Sequence, residues 1–222
     1  MKDKIKDAKS AISLIKDGSV IMVGGFLGTG TPEILIDALV EANAKDLTII
    51  CNDSCYPERG VGKLVVNKQV KKIITSYIGL NPESSKQMNE GFLEVELVPQ
   101  GTIAERIRAY GAGLGGVLTP TGVGTEVAKG KQVINVDGRD YLLEKPLKAD
   151  FALIRPSVCD RMGNAIYHKA TKNFNIIMAT AGETVIAGCE KLVETGEIDP
   201  DTVMTPGIFI DIIVEGEQAW KI

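Results

Sequence analysis

The sequence predicts an α/β protein with an open, mostly parallel β-sheet and helices on both faces. Short apolar runs without polar alternation, such as 19–23 and 47–51, are typical of strands that are buried on both sides. Segments with helical apolar spacing separate these runs. Right-handed strand–helix–strand units of this kind stack into a parallel sheet that is covered on both faces.

Helices are predicted wherever apolar residues recur at a helical spacing between start and stop signals. In the first, residues 4–16, the pattern ends at Asp17 and Gly18. In the second, Thr31 is the expected N-cap and Pro32 the first helical residue. The remaining predicted helices are 62–67, 82–90 and 102–110, the last with a capping box formed by Thr102 and Glu105.

Strands are predicted from short apolar or β-branched runs bounded by turn residues. They are 19–23, 47–51, 70–76, 93–98, 133–136, 141–143, 151–155, 175–179, 184–189 and 208–214. Asp137 and Gly138 join two of them into a predicted hairpin. Residues 111–130 hold seven glycines and are predicted to form a mobile or ligand-facing loop.

Composition limits the class of protein. The 222 residues are 44% hydrophobic and 24% charged, as in ordinary globular domains, and no linker or repeat divides them. We therefore expect a single domain over residues 1–222. Aromatic residues make up 5% and the net charge is -4, so that a nucleic acid is not an expected partner.

The first residues, the length of the apolar runs and the cysteines indicate the cellular compartment. The charged start has no apolar secretory segment, and no run approaches 18 apolar residues, which predicts a cytoplasmic protein without a membrane partner. The four cysteines are spaced too irregularly for a disulfide framework, so that reduced thiols are expected.

Residues 17–32, DGSVIMVGGFLGTGTP, form the strongest candidate for a binding site. Gly24 and Gly25 would let the backbone approach a ligand closely, and Gly28 and Gly30 allow conformations that a Cβ forbids. Free N–H groups and the positive end of the next helix favour an anion or a polar carbonyl group. The same glycines also suit a tight turn without a ligand, and their spacing is not that of dinucleotide-binding proteins.

This segment resembles the first signature of the class I coenzyme A transferases: D-G-x-x, three apolar residues, then G-G-F-x-x-x-G-x-P. Similar blocks follow along nearly the whole chain: SYIGLN from Ser76, FLEVELVPQGTIAERIRAYGAG from Phe92, TPTGVGTE from Thr119, and later DRMGN and NFN. The likeness is to the A, or alpha, subunits of the butyrate or acetate to acetoacetate enzymes. It implies the transferase or sugar-phosphate isomerase-like fold, and a coenzyme A-binding loop made of Gly24, Phe26, Leu27 and Thr29 together with Gly25, Gly28 and Gly30.

The resemblance also implies a ping-pong reaction. In it, a glutamate attacks an acyl-CoA thioester and is later released from CoA by an incoming short-chain carboxylate. That glutamate belongs to an S-E-N-G signature in the family's B, or beta, subunits, and this chain has no such string. The expected partner is therefore a beta subunit, in an α2β2 or larger assembly. Coenzyme A is expected as a substrate, with no permanently bound cofactor and no metal.

Gln100 is the predicted catalytic residue of this chain. It stands in the V-P-Q-G-T block, where the family's glutamine is implicated in stabilising the oxyanion of the reacting carbonyl. An amide fixed at the end of a strand could donate to that oxygen, with a stabilisation of about 3 kcal/mol in comparable sites. The alternative is that Gln100 only bonds a neighbouring group.

Other reactive side chains have simpler interpretations. Glu33 complements a helix dipole and Glu105 belongs to the predicted capping box. His168, the single histidine, has no flanking pattern and is expected at the surface. Cys51 and Cys55 lack the further ligands of a metal site and are expected in the core.

Two other classes of protein are alternatives to a transferase. A non-catalytic module that binds an anion or a sugar phosphate would use the same glycine loop without acyl chemistry. A dinucleotide-dependent oxidoreductase would need G-x-G-x-x-G after a strand, which this sequence does not show at its first strand.

Overall fold

A computed structural model describes residues 3–218. Its strands are β1 Val20–Val23, β2 Leu47–Ile50, β3 Val70–Thr75, β4 Glu94–Leu97, β5 Val117–Thr119, β6 Val133–Val136, β7 Arg139–Glu144, β8 Ala149–Ile154, β9 Val158–Asp160, β10 Ala165–Ile166, β11 Gly182–Cys189, β12 Lys191–Val193 and β13 Ile212–Glu215. Its α-helices are α1 Ala8–Ile12, α2 Glu33–Ala42, α3 Val61–Val66, α4 Pro82–Asn89, α5 Gln100–Gly111 and α6 Asn175–Met178. Short 3₁₀ turns lie at Glu126–Ala128, Lys169–Lys172, Pro200–Thr202 and Gly207–Phe209.

Seven strands form a parallel sheet in the order β13-β11-β8-β1-β2-β3-β4. Side chains alternate between its two faces: Ile21 and Val23 point into the core formed with α1, α2 and α3, whereas Met22 points into the core formed with α5 and α6. Both faces of the sheet are therefore covered. The predicted fold class is confirmed.

Two small sheets of three strands accompany the main one. The first has the order β10-β9-β12, and the second the order β5-β7-β6. In the second, β6 and β7 form the predicted hairpin, with Asp137 at φ 51° and Gly138 at φ 80° in the turn. The glycine-rich segment 111–130, predicted as a loop, contributes β5 to this sheet.

The first predicted helix is wrong in its extent. Only Ala8–Ile12 is α-helical, and Asp7 caps it by accepting a hydrogen bond from the N–H of Ser10. The residues before it extend the main sheet instead, because the N–H of Lys6 donates to the carbonyl of Ile213. The end of the chain is shifted in a similar way: the strand predicted at 208–214 occupies Ile212–Glu215, after a 3₁₀ turn.

The strand predicted at 175–179 is also wrong, because these residues form α6. Phe174 and Met178, four residues apart, pack into the same core cluster, which a helical turn allows. The two adjacent isoleucines of this segment favoured a strand, but tertiary packing overrides that preference.

Helix α5 begins earlier than predicted. Pro99 occupies its N-cap position and Gln100 is its first residue. The predicted capping box does not form: the hydroxyl of Thr102 has no hydrogen-bond partner within the described residues, and Glu105 pairs with Arg108 at 3.1 Å. Gln100 therefore stands in the first turn of the helix instead of in a loop before it.

Within residues 3–218, every helix is too short or too polar to cross a lipid bilayer.

Candidate functional site

The glycine loop after β1 contains a tight turn. The N–H of Phe26 donates to the carbonyl of Thr29 at 3.0 Å, and the N–H of Thr29 donates back to Phe26 at 2.9 Å. Leu27 and Gly28 lie between them with φ values of 49° and 82°. Two positive φ values in a two-residue turn are typical of type I′ hairpins. This turn holds Phe26 and Leu27 at the surface, with exposed fractions of 42% and 37%.

The glycines flanking the turn are packed against other parts of the chain. A Cβ at Gly24 would overlap the side-chain oxygen of Asn175, and a Cβ at Gly25 would overlap the hydroxyl of Thr31. A Cβ at Gly30 would lie 2.9 Å from the carbonyl oxygen of Thr171. Close packing within the chain is therefore sufficient to require glycine at these three positions, whether or not a ligand approaches.

Thr31 was predicted as an N-cap, and this is wrong. Pro32 occupies the N-cap position of α2, and its own side chain makes no capping hydrogen bond. The Thr31 side chain faces the loop at Gly25 instead. The N–H of Ile34, in the first turn of the helix, donates to Glu217 at 2.9 Å. The N-terminus of this helix is therefore already partly occupied by a carboxylate of the same chain.

Two asparagines fasten the glycine loop to α6. Asn173 Nδ2 donates to the carbonyl of Thr29 at 2.8 Å, and Asn175 Nδ2 donates to that of Gly30 at 2.9 Å. The Asn175 Oδ1 atom accepts from the N–H of Arg155, at the end of β8. The N-F-N motif therefore connects the loop to the neighbouring strand of the sheet.

Gln100 lies at the same edge of the sheet as the glycine loop. Its side chain is exposed, and its Nε2 donates to Asn52 Oδ1 at 2.7 Å. Asn52 Nδ2 donates to Asp53 Oδ2 at 2.7 Å, and that same oxygen accepts from the N–H of Leu27 at 2.9 Å. Three hydrogen bonds therefore link the predicted catalytic residue to the predicted binding loop.

Sequence reasoning did not identify Asn52 and Asp53. A signal was present, because both directly follow the buried strand predicted at 47–51. In parallel α/β sheets, ligands bind outside the carboxyl ends of the strands, and polar residues that follow a strand are therefore candidates.

The space beneath the turn is small. The cavity lined by Gly25, Gly28, Asn52 and Asp53, among others, measures about 10 Å³. Such a volume holds one water molecule at most. A ligand of several atoms does not fit into this cavity, whereas Phe26 on the turn is exposed.

The cysteines near this edge are not nucleophiles. Burial raises the pKa of the Cys55 thiol to about 12, and burial together with the Asp53 carboxylate raises the pKa of Cys51 as well. Both thiols therefore stay protonated at neutral pH, and only a thiolate would attack a carbonyl. Both side chains are buried, as predicted.

The remaining candidates are bound elsewhere or exposed. Glu33 accepts from Lys63 at 2.7 Å in the first turn of α2, and Glu105 forms the ion pair with Arg108. His168 is exposed, as predicted. Within the described residues, histidine, cysteine and carboxylate side chains do not gather in groups of three or more that could hold a metal ion.

The parallel sheet with helices on both faces is a fold that this chain shares with solved structures. The chain superposes on an acyl-CoA transferase from Escherichia coli O157:H7 with a TM-score of 0.87 and 24% identity, over 97% of this chain and 47% of that one. It spans about half the length of that solved chain. Glutaconate coenzyme A-transferase from Acidaminococcus fermentans gives 0.84 and 21%, over 96% and 75%.

The sequence profile of the coenzyme A transferase family matches residues 5–216, and the chain belongs to this family. Among curated relatives, it is 54% identical to the acetoacetyl-CoA:acetate/butyrate CoA transferase alpha subunit of Clostridium acetobutylicum, over 97% of this chain and 99% of that protein. It is 49% identical to the alpha subunit of the acetate CoA-transferase of Escherichia coli K12, over 99% and 100%. The predicted family is confirmed, and the alternative of a non-catalytic binding module is not favoured.

Proposed function

We propose that this chain is the alpha subunit of a heteromeric CoA transferase that moves coenzyme A between a short-chain acyl-CoA and a short-chain carboxylate. The acyl donors are acetoacetyl-CoA, butyryl-CoA or acetyl-CoA. The observation that carries the proposal is 54% identity along almost the whole length of an acetoacetyl-CoA:acetate/butyrate relative. In this proposal residues 1–222 act as one domain in the cytoplasm, coenzyme A is a substrate, and no cofactor is held permanently.

The beta subunit supplies the nucleophilic glutamate. Its carboxylate oxygen attacks the thioester carbonyl carbon, and the C–S bond breaks. This step releases the CoA thiolate and joins the acyl group to the glutamate as a mixed anhydride. The thiolate then attacks the glutamyl carbonyl of the anhydride, which releases the first carboxylic acid as a carboxylate and leaves a glutamyl-CoA thioester. The incoming carboxylate collects coenzyme A by the same two steps in reverse. Glu33 and Glu105 each form an ion pair with a basic side chain of this chain. These ion pairs support a nucleophile from outside this chain.

Gln100 supplies charge stabilisation. When the carboxylate attacks, the thioester oxygen gains negative charge, and an amide hydrogen aimed at that oxygen stabilises the transition state. One Nε2 hydrogen of Gln100 is used by Asn52, and the other remains to donate to the substrate. The glycine loop, Gly24 to Gly30, supports the acyl-CoA beside it.

The partner covers the carboxyl edge of the sheet. Phe26, Leu27, Tyr56 and Tyr77 follow three adjacent strands there and are 37% to 50% exposed. Exposed apolar and aromatic side chains in such numbers are typical of surfaces that another protein covers. The assembly is α2β2 or larger.

The test uses this chain and its presumed beta subunit, expressed separately and together. Acyl exchange between acetoacetyl-CoA and acetate or butyrate is followed by separating the CoA esters on a column. We expect exchange from the pair and none from either protein alone. Exchange by the lone 222-residue chain would contradict a nucleophile supplied by the partner. The proposed function would be contradicted if the assembled pair gave no exchange with any short-chain carboxylate.

A further inference from the structure

The Asp53 carboxylate lies beneath the glycine turn, 6% exposed, and accepts three hydrogen bonds. Its Oδ2 accepts from the N–H of Leu27 at 2.9 Å and from Asn52 Nδ2 at 2.7 Å. Its Oδ1 accepts from the N–H of Cys55 at 2.9 Å. All three donors are N–H groups, so that both carboxylate oxygens act as acceptors in this arrangement.

These contacts determine which way the Asn52 amide faces. Because its NH₂ group is used by Asp53, its Oδ1 is the atom that faces Gln100. An oxygen can only accept, so Gln100 has to present its NH₂ group to Asn52. Asn52 is 3% exposed, and water cannot easily replace either neighbour. The Asp53 carboxylate therefore determines, through Asn52, that the Gln100 amide presents its NH₂ group to Asn52.

We infer that Asp53 is a positioning residue for the transfer: through Asn52 it orients the Gln100 amide, and through the N–H of Leu27 it fixes the glycine turn in the matching place. This inference rests on the proposed function. Asp53 touches neither the substrate nor the reacting atoms. It joins the two parts of the site, which come from β1 and α5 and are 73 positions apart in sequence, from Leu27 to Gln100.

A purely structural role for Asp53 makes a different prediction. If the carboxylate only stabilised the fold, its loss would lower the thermal stability, and its effect on turnover would multiply with that of a Gln100 substitution. If it acts on turnover through Gln100, this effect on kcat disappears once Gln100 is gone, whereas a disturbed glycine turn changes the KM for the acyl-CoA. Residues that act as one unit are non-additive in this way.

The kinetic test uses the assembled pair with Asp53→Asn, Asn52→Ala and Gln100→Ala, each alone, and with Gln100→Ala combined with each of the other two. Asn52→Ala leaves the bonds of Asp53 to the turn in place, and serves if Asp53→Asn does not fold. We expect each of these two variants to lower kcat about 10-fold to 100-fold, as for a misplaced catalytic group. The KM for the carboxylate should stay within about twofold, and neither double variant should fall more than about threefold below Gln100→Ala alone.

The matched control is Asp211→Asn. Asp211 also accepts a backbone N–H, that of Val185 at 2.8 Å, but it lies just before β13, at the opposite edge of the sheet. Its replacement should leave kcat unchanged. Turnover effects of Asp53→Asn or Asn52→Ala that multiply with Gln100→Ala, or that Asp211→Asn reproduces, would overturn the inference.

A second readout does not depend on activity. In the ¹⁵N-labelled chain, the side-chain amide signal of Gln100 is identified by its absence in Gln100→Ala. We expect a shifted signal in the wild type that moves towards the free-amide position in Asp53→Asn and in Asn52→Ala, but not in Asp211→Asn. An unchanged signal in both variants would overturn the inference even where exchange activity is absent, whereas an inactive wild-type pair with the expected signals would count against the proposed function alone.

Discussion

Replacing Gly24 by alanine should destabilise the protein through one identifiable contact. The new Cβ would overlap Oδ1 of Asn175, the atom that also accepts the N–H of Arg155. Overpacking of this kind costs about 1–3 kcal/mol. For a chain of this length each kcal/mol corresponds to about 2–4 °C, so that the melting temperature should fall by roughly 2–12 °C.

Asn175→Ala should be more costly when made alone. It leaves the carbonyls of Gly30 and Thr171 and the N–H of Arg155 without their partner. A buried polar group left unsatisfied costs about 1–3 kcal/mol, so a loss of at least about 3 kcal/mol is expected. The double variant should be no less stable than Asn175→Ala, because the Cβ at position 24 then enters space that the asparagine has vacated.

The assay is thermal and urea unfolding of the four proteins, followed by circular dichroism. Asn89→Ala is the control, since Asn89 is exposed at the end of α4 and its change should stay within about 0.5 kcal/mol. Additive effects of the substitutions at Gly24 and Asn175, within about 0.5 kcal/mol, would refute the contact as the cause.

Three further outcomes are expected. Gln100→Ala should lower kcat by about 100-fold while the two proteins still assemble, as measured by gel filtration and exchange kinetics; unchanged turnover would remove its assigned role. Cys55, with a pKa of about 12, should resist iodoacetamide at pH 8 in the folded chain and react once it is unfolded, as measured by mass spectrometry; rapid labelling of the native protein would contradict this. Burial works against ionisation of Glu96, but Arg106 and Lys72 outweigh it and hold its pKa below the usual range. The folded state therefore gains stability from the ionised form at neutral pH and loses it as the pH falls below about 4.5, so that the difference in urea stability between the wild type and Glu96→Gln should shrink on acidification; a constant difference would show that the ion pairs contribute nothing.

The central strands of the main sheet were predictable from sequence because they are apolar on both faces. Runs such as 19–23 and 47–51 lack the polar face of an amphipathic helix, and the structure places strands there. The segment 175–179 carries the same local signal, yet it is helical because Phe174 and Met178 pack into one core cluster. That information lies in tertiary contacts, which a local pattern does not contain.

The site was predictable only in part for a similar reason. Gln100 and the glycine loop stand in recognisable strings, and the fold brings them to one edge. Asn52 and Asp53 stand in no string that marks a role. Their importance depends on hydrogen bonds to residues 26 and 48 positions away, which only the folded chain shows.

The conformation of Leu27 links the energetics of the turn to its use. A left-handed φ of 49° costs a residue with a Cβ about 1–2 kcal/mol, and glycine or asparagine would adopt it at lower cost. The hydrogen bond from its N–H to the Asp53 carboxylate, of a kind that contributes about 1.5–3 kcal/mol, offsets that strain. A leucine kept in this position, with its side chain exposed, is not explained by the stability of the turn. It is explained if the side chain meets the acyl group or the partner protein, in accordance with the tendency of backbone strain to collect at functional sites.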